Sequence, residues 1–239
     1  MKHLPVYIWT SNKLNCCLPA TAYLFNKFWP METNVKILGY DIPEFELPSN
    51  FEFVSLGKQR GPDYWSDDMI DFFSTCTDDY FYFPTEDMFI LEPVDVEILE
   101  YAINLFECNL DSNLLRFCLA NDIQHRPYNT IHDYDRFQLI ERTQDSDYRN
   151  GVVASIWHRE NFLKQLKPGI TPWKFELNTG RNNNMTVLGT KGAYALAVGH
   201  GYKRGKKILD WYKCCCGDSV KLNKADINLL ETRNWVPTI

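Results

Sequence analysis

The stretch that decides the fold is Tyr80-Phe81-Tyr82-Phe83-Pro84-Thr85-Glu86-Asp87-Met88-Phe89-Ile90. Its aromatic run predicts a buried β-strand, and two adjacent carboxylates follow where that strand ends. Ionised carboxylates side by side repel each other, so a cation or another charge is needed to hold them. Hard divalent cations bind one or two carboxylates together with substrate phosphates. The stretch therefore indicates Mg²⁺ or Mn²⁺ at the C-terminal edge of a sheet; the alternative is a strand end with two solvated acids.

Strands and helices alternate along the chain, which predicts an α/β fold with a mostly parallel central sheet. Ser66 is predicted as the N-cap of a helix that ends near Cys76, with acids in its first turn. In such sheets ligands bind beyond the C-terminal strand ends. The other predicted strands are Val6–Thr10, Val35–Tyr40, Phe51–Leu56, Leu114–Leu119, Phe137–Ile140 and Val152–Trp157, and the other helices are Leu18–Trp29, Val94–Phe106 and Arg159–Leu166.

Length and composition indicate a folded protein with one large domain, or a domain with a small appendage. The chain has 239 residues, of which 45% are hydrophobic and 15% aromatic, enough for a real core. The net charge of -6 is uneven, since Gly61–Leu115 carries 14 acids and no Lys or Arg, whereas His200–Ile239 carries 8 basic residues against 4 acids. This asymmetry suggests a cation in one place and a phosphate in the other, and two solvated faces are the alternative.

The eight cysteines form no C-x-x-C pair, so a structural zinc site of the usual spacing is not indicated. The sequence gives no physical reason for the run Cys214-Cys215-Cys216. The N-terminus shows no signal segment, and no apolar run approaches the roughly 20 residues that span a bilayer. We therefore expect a reduced, cytoplasmic protein without a transmembrane segment.

Two further segments carry a family resemblance. They are Ser155-Ile156-Trp157-His158-Arg159-Glu160-Asn161-Phe162-Leu163 and Ile170-Thr171-Pro172-Trp173-Lys174-Phe175-Glu176. Together with the strand that ends in Glu-Asp, they resemble nucleotide-sugar-dependent glycosyltransferases of the GT-A fold, most closely the small bacterial and phage members. The resemblance covers about residues 6–207. It implies a Rossmann-like single domain with a donor-binding half of about residues 1–110 and an acceptor-binding, catalytic half of about residues 111–239.

The resemblance also implies roles for individual residues. Thr85-Glu86-Asp87 stands where that fold has its Asp-x-Asp motif, which holds the metal bound to the donor diphosphate. The two acids are adjacent here, so Asp87 is the first candidate metal ligand and Glu86 a second-shell or ribose contact. His200 corresponds to the late His that is a metal ligand in many members. Glu176 stands where inverting members have the general base, which must lie within hydrogen-bond reach of the acceptor hydroxyl.

Donor contacts are expected after the first two strands and in two loops. Ordinary loop capping is the alternative for the residues that follow the first two strands, Thr10, Ser11, Asn12 and Asp41. It is also the alternative for Arg60 and Asp63, which lie in one loop. A basic segment, Gly199–Lys207, would meet the diphosphate leaving group, and a mobile surface loop is its alternative. The donor-binding candidates are Thr10, Ser11, Asn12, Asp41, Arg60, Asp63, Glu86, Lys203, Arg204 and Lys206.

Trp157 and Trp173 are candidates for stacking on an acceptor, and core packing is their alternative. The expected reaction transfers a sugar from a nucleoside diphosphate sugar, a UDP-sugar by preference, to a hydroxyl with inversion. The acceptor is a surface glycan or a hydroxymethylated base in DNA, and the net charge argues mildly against a large phosphate-contacting surface. A non-catalytic nucleotide- or glycan-binding module with the same fold is the alternative from another class.

Overall fold

The computed structural model of the protein describes residues 3–108, 113–203, 206–207 and 221–236, with the side chains of Lys203, Lys206 and Lys207 left out. The α/β fold class expected from the sequence is confirmed, because a large mixed sheet is flanked by helices in a single domain. The described helices are all too short or too polar to cross a bilayer.

The central sheet has nine strands in the order β3-β2-β1-β4-β9-β6-β10-β8-β7. Its strands are β1 (Val6–Trp9), β2 (Val35–Gly39), β3 (Phe51–Ser55), β4 (Tyr80–Tyr82), β6 (Leu114–Cys118), β7 (Tyr128–Asp133), β8 (Gln138–Arg142), β9 (Ser155–His158) and β10 (Thr186–Lys191). Two small sheets pair β5 (Met88–Ile90) with β11 (Val198–His200), and β12 (Tyr202–Lys203) with β13 (Lys206–Lys207).

Most strands of the large sheet run in one direction, as expected. Strands β1 to β4 are mutually parallel, and β6 and β10 are parallel to each other. Strand β9 is antiparallel to both of its neighbours, β4 and β6, and β8 is antiparallel to β10 and β7. Only β8 and β9 therefore run opposite to the others among the nine. The sheet is continuous from the first half of the chain to the second, and the division into donor and acceptor halves stays a prediction.

Helices cover both faces of the sheet. They are α1 (Leu18–Phe28), α2 (Trp65–Thr75), α3 (Val96–Cys108), α4 (Arg159–Gln165), α5 (Pro172–Asn178) and α6 (Lys224–Thr232). On one face, Phe81 of β4 stacks on Phe73 of α2 with ring centroids 4.2 Å apart, and Trp157 packs against Phe162 of α4 and Phe175 of α5. Side chains alternate along a strand, so the next residues face the other side.

On that other face, Tyr82 stacks on Trp29 at the end of α1, with 5.3 Å between ring centroids. Phe117 of β6 contacts Tyr101 of α3 on the same side. The high aromatic content predicted a real core, and most of that core lies between the sheet and the helices.

Several boundaries differ from the sequence prediction. Helix α2 begins at Trp65 with Tyr64 as its N-cap, so the assignment of Ser66 as N-cap is wrong. The Ser66 hydroxyl instead accepts a hydrogen bond from the backbone N–H of Ile170 at 3.0 Å, which ties α2 to the loop before α5. The predicted strand at residues 152–157 begins only at Ser155, because the residues before it form a turn. Residues 12–17, between β1 and α1, form a 3₁₀ helix.

Phe73→Ala is expected to destabilise the protein by about 3–5 kcal/mol, because its buried ring contacts Tyr7, Phe81, Phe83 and Phe162. The neighbouring Phe72, only half-buried on the same helix, provides a matched control, and Phe72→Ala should cost clearly less. Urea unfolding at neutral pH measures both losses. Equal losses for the two variants would contradict this account of the core.

Candidate functional site

The site lies at the C-terminal edge of the parallel strands, where β1 and β4 end side by side. The backbone N–H of Trp9 donates to Pro84 O at 3.1 Å, and the N–H of Glu86 donates to Trp9 O at 3.1 Å. These two bonds extend the β1–β4 pairing past the ends of both strands. The residues after β1 and the acid pair after β4 therefore meet at one edge, as the sequence predicted.

The residues after β1 also reach the end of β2. The Asn12 side-chain amide donates to Asp41 Oδ2 at 2.5 Å, and the Asp41 backbone N–H donates to Asn12 Oδ1 at 2.9 Å. Thr10 is fully buried, and its hydroxyl donates to Asn15 Oδ1 at 3.1 Å. Asn15 in turn donates to the Asp41 carbonyl at 3.1 Å. Asn12 and Asp41 thus lie together, as is required if the segments after β1 and β2 bind the same ligand.

Arg60 and Asp63 lie in the loop before α2, and both have protein partners. The Arg60 guanidinium contacts Asp68 at 2.5 Å and lies over the ring of Tyr64 at 4.5 Å from its centroid. Asp63 forms an exposed ion pair with Lys174 of α5 at 3.4 Å. This pair joins the loop to the helix that carries Glu176. Exposed pairs of this kind contribute little stability.

Glu86 is completely buried, and only one of its oxygens is hydrogen-bonded. The backbone N–H of Ser11 approaches Oε1 at 3.5 Å, whereas Oε2 has no partner within the described part of the chain. Burial raises the pKa of Glu86 well above its usual range, the charge of Asp87 raises it further, and backbone N–H groups oppose the rise. A protonated Glu86 removes the charge repulsion that the adjacent acids suggested, without any cation.

Asp87 and His200 come together through the pairing of β5 with β11. Asp87 Oδ2 lies 3.6 Å from His200 Nδ1, and Asp87 Oδ1 accepts a hydrogen bond from the Thr85 hydroxyl at 2.8 Å. The backbone N–H of Gly201 donates to the Asp87 carbonyl at 2.9 Å, which fixes the second strand against the acid. Ligands in neighbouring positions on an octahedral ion lie about 3 Å apart, so small side-chain movements would let both atoms bind one cation.

Within the described ranges, no cluster of three or more Asp, Glu, His or Cys side chains has the geometry of a metal site. Asp87 and His200 therefore fit a divalent ion only if substrate phosphate and water complete its shell, which is usual for Mg²⁺.

Glu176 lies on α5 and is half-buried. Its Oε1 accepts a hydrogen bond from the backbone N–H of Val152 at 2.7 Å. Burial raises the pKa of Glu176, while the Val152 bond and the charges of Arg116 and His200 partly oppose the rise. A carboxylate with a raised pKa, close enough to His200 to feel its charge, is suited to take up a proton near the Asp87–His200 pair.

The two candidate acceptor residues differ in exposure. Trp173 at the start of α5 is 63% exposed, so its ring can receive a ligand. Trp157 has no exposed surface, because its ring packs between Phe162, Phe175 and the guanidinium of Arg116. The structure thus contradicts an acceptor-stacking role for Trp157 and makes it a core residue.

The basic segment is only partly described. The backbone of Lys203 and Lys206 forms the β12–β13 pair, and their side chains lie outside the described part of the structure. Arg204 and the Cys214–Cys216 run also fall outside the described residues. Their expected contact with a diphosphate stays a prediction.

Sequence reasoning missed several residues of this region. The Asn15 side chain donates to the Asp41 carbonyl, and the Gln59 side chain accepts from the Asn12 backbone N–H. Amide side chains in these connecting segments gave no distinct sequence signal. Arg116 had a signal, because it is a charged residue inside the apolar strand β6. Cys16 is half-buried next to Cys17, whose hydrogen bond lowers the pKa of Cys16 to about 7.

Comparisons with known proteins give no family. No protein-family model and no curated protein sequence matches the chain. Among solved structures, the chain is similar to A197 from STIV, with 13% identity, coverage of 84% of this chain and 87% of that one, and a TM-score of 0.43. It is also similar to HddC from Yersinia pseudotuberculosis, with 10% identity, coverage of 78% and 89%, and a TM-score of 0.43. Similarity at this level assigns no activity.

Glu86→Gln is expected to stabilise the protein, increasingly so as the pH rises. With its pKa raised on folding, Glu86 keeps a proton that the unfolded chain releases above about pH 4.3, so wild-type stability falls as the pH rises toward the folded pKa. Gln removes this loss, and the difference in unfolding free energy grows by about 1.4 kcal/mol per pH unit.

Urea unfolding of both proteins at pH 4.5, 6.0 and 7.5 measures this difference. Glu52→Gln, at an exposed position of β3, is the matched control for removal of one carboxylate. A stability gain for Glu86→Gln that is constant over this pH range would contradict a buried, protonated Glu86.

Proposed function

We propose that the protein is a glycosyltransferase that moves a sugar from a nucleoside diphosphate sugar to an acceptor hydroxyl with inversion. The observation that carries the proposal is Glu176, a half-buried carboxylate whose pKa is raised and which is influenced by the charge of His200, the neighbour of Asp87. These three residues come from α5, from the loop after β4 and from β11, and the charge of His200 acts on the Glu176 carboxyl.

The acceptor is activated by Glu176. Its carboxylate takes the proton of the acceptor hydroxyl while that oxygen attacks the anomeric carbon, and the bond from that carbon to the diphosphate breaks. Such a base is effective when its pKa lies near the working pH, and burial moves the pKa of Glu176 in that direction. The bond from Val152 keeps one oxygen oriented, so the other is the one available to the substrate.

The donor is bound at the ends of β1 and β2. The Asn12–Asp41 pair has amide and carboxylate groups that match the hydrogen-bonding edge of a uracil ring and a ribose hydroxyl. Asp87 and His200 would hold a Mn²⁺ or Mg²⁺ ion, which would supply positive charge for the diphosphate. The basic segment Lys203, Arg204 and Lys206 supplies further charge to the leaving group.

The acceptor is proposed to be a glycan. The rim of the site has exposed aromatic surface at Trp173 and Tyr64, and aromatic rings are common in sugar-binding pockets. The charged groups there include the paired Asp63 and Lys174 and Arg60, which is paired with Asp68, and Asp41 is exposed nearby. A hydroxymethylated DNA base is the less favoured acceptor, because duplex DNA requires a surface dominated by positive charge.

Donor binding is expected to depend on Asp87. In a thermal-shift screen of nucleoside diphosphate sugars, UDP-sugars with Mn²⁺ should raise the melting temperature of the wild type, since a ligand that binds only the folded state stabilises it. Asp87→Ala should lose the Mn²⁺-dependent part of the shift. Asp71→Ala, which removes an exposed acid of α2, should keep it. A full shift in Asp87→Ala would exclude Asp87 as a metal ligand.

Glu176→Gln is expected to lower transfer by about 10²–10⁴-fold while donor affinity stays unchanged, because Gln fills the same space but takes up no proton. Release of nucleoside diphosphate measures turnover, and calorimetry measures donor binding. Glu160→Gln, an exposed acid of α4, is the control. Wild-type turnover in Glu176→Gln would remove it from the role of base. Absence of nucleotide release by the wild type from any donor would favour the non-catalytic binding module.

A further inference from the structure

Three arginines with no exposed side-chain surface lie behind Glu176: Arg116, Arg142 and Arg149. Burial lowers the pKa of Arg142 and of Arg149 to about 10. Buried cations are usually paired with acids. Here, apart from a contact between Arg142 and Asp122 at 3.5 Å, the hydrogen bonds described for these guanidiniums go to backbone carbonyls and to one serine hydroxyl. They therefore hold a particular path of the main chain.

The chain segment they hold is the turn that precedes β9. Tyr148 in this turn has a φ of 56°, a conformation that costs free energy for a residue other than glycine. Its carbonyl accepts hydrogen bonds from Arg142 Nη1 at 2.9 Å, from Arg116 Nη2 at 3.3 Å and from the Gly151 N–H at 3.0 Å. Arg116 Nε also donates to the Arg149 carbonyl at 2.7 Å. Two cations thus stabilise a strained turn.

The same turn contacts Glu176 and the helix that carries it. The turn leads directly into Val152, whose N–H donates to Glu176 Oε1 at 2.7 Å. Arg149 Nε donates to the carbonyl of Gly180, just beyond α5, at 2.9 Å, and Asn150 Nδ2 donates to Thr179 Oγ1 at 2.6 Å. A Cβ at Gly180 would lie 2.7 Å from the Arg149 Cβ, so the two segments touch.

We propose that Arg116 is a positioning residue for Glu176: by holding the turn at residues 148–152, it aims the Val152 N–H at the carboxylate and fixes which oxygen faces the substrate. The inference deepens the proposed function and rests on it. Arg116 lies on β6, where its side chain is shielded from solvent. It also donates to Ser155 Oγ of β9 at 2.7 Å. The other charged groups that influence Glu176 are Asp122 of the 3₁₀ helix at residues 121–125 and His200 of β11.

Two substrate-free measurements test the proposal: the titration midpoint of the Glu176 carboxyl carbon by NMR, assigned with Glu176→Gln, and hydrogen exchange of the Val152 amide. Arg116→Lys keeps the charge but cannot form the three-way set of hydrogen bonds. It should expose the Val152 amide and raise the midpoint by about one pH unit, because the oriented donor is lost. Val152→Pro, which removes that N–H and leaves Arg116 in place, should raise the midpoint similarly.

Arg136→Gln, which removes an exposed guanidinium bound to Asp95 and Glu97, is the control and should change neither readout. A wild-type midpoint and a protected Val152 amide in Arg116→Lys would overturn the proposal, since charge alone would then suffice. If Arg116→Lys does not fold, an unchanged midpoint in Val152→Pro overturns it instead, and a raised midpoint supports it.

Turnover separates this inference from the proposed function. When the wild type transfers sugar, Arg116→Lys should lower kcat at least tenfold with the donor KM unchanged, and should shift the acid limb of the pH profile upward with the NMR midpoint. The wild type could lack transferase activity while its Glu176 midpoint still responds to Arg116→Lys and Val152→Pro. That result would reject the proposed function and support the positioning of Glu176.

Discussion

The pairing of β1 with β4 is the constraint on which the site depends. The two strands share one registered residue pair, Val6 with Tyr82, and their contact continues through the bonds of Trp9 with Pro84 and Glu86. Without that continuation the acids after β4 would not reach the loop after β1. Because the backbone bonds fix Glu86 under the Ser11 amide, its carboxylate is buried, and Asp87 is left as the acid that lies beside His200.

The sequence predicted what depends on local pattern and strand direction. Alternating strands and helices gave the α/β class, and the rule that parallel strands end at one edge brought Asn12 to Asp41. What it could not give depends on long-range contacts. Serine is a typical N-cap residue, but the Ser66 hydroxyl accepts a hydrogen bond from Ile170, about a hundred positions later. Trp157 is polar enough at its indole nitrogen to suit a binding surface, yet the register of β9 turns it into the core.

Charged groups are buried in two different ways on the two sides of Glu176. At the strand edge, Glu86 is short of hydrogen-bond donors, so its charged form is disfavoured and the region can respond to an incoming cation or donor group. Behind α5, the arginines are supplied with many carbonyl acceptors and remain charged. The first arrangement is adaptable and the second is rigid. Glu176 is joined to the second arrangement through the Val152 N–H.

The insertion of β9 between β4 and β6 has a consequence for synthesis of the protein. Tyr80 of β4 pairs with His158 of β9, so the apolar strand Tyr80–Tyr82 has one open edge until a much later part of the chain leaves the ribosome. At ordinary translation rates this delay is on the order of ten seconds. During that time the aromatic edge can pair with strands of other nascent chains. Yield in a host cell should therefore be limited by chaperone capacity and growth temperature more than by the stability of the finished fold.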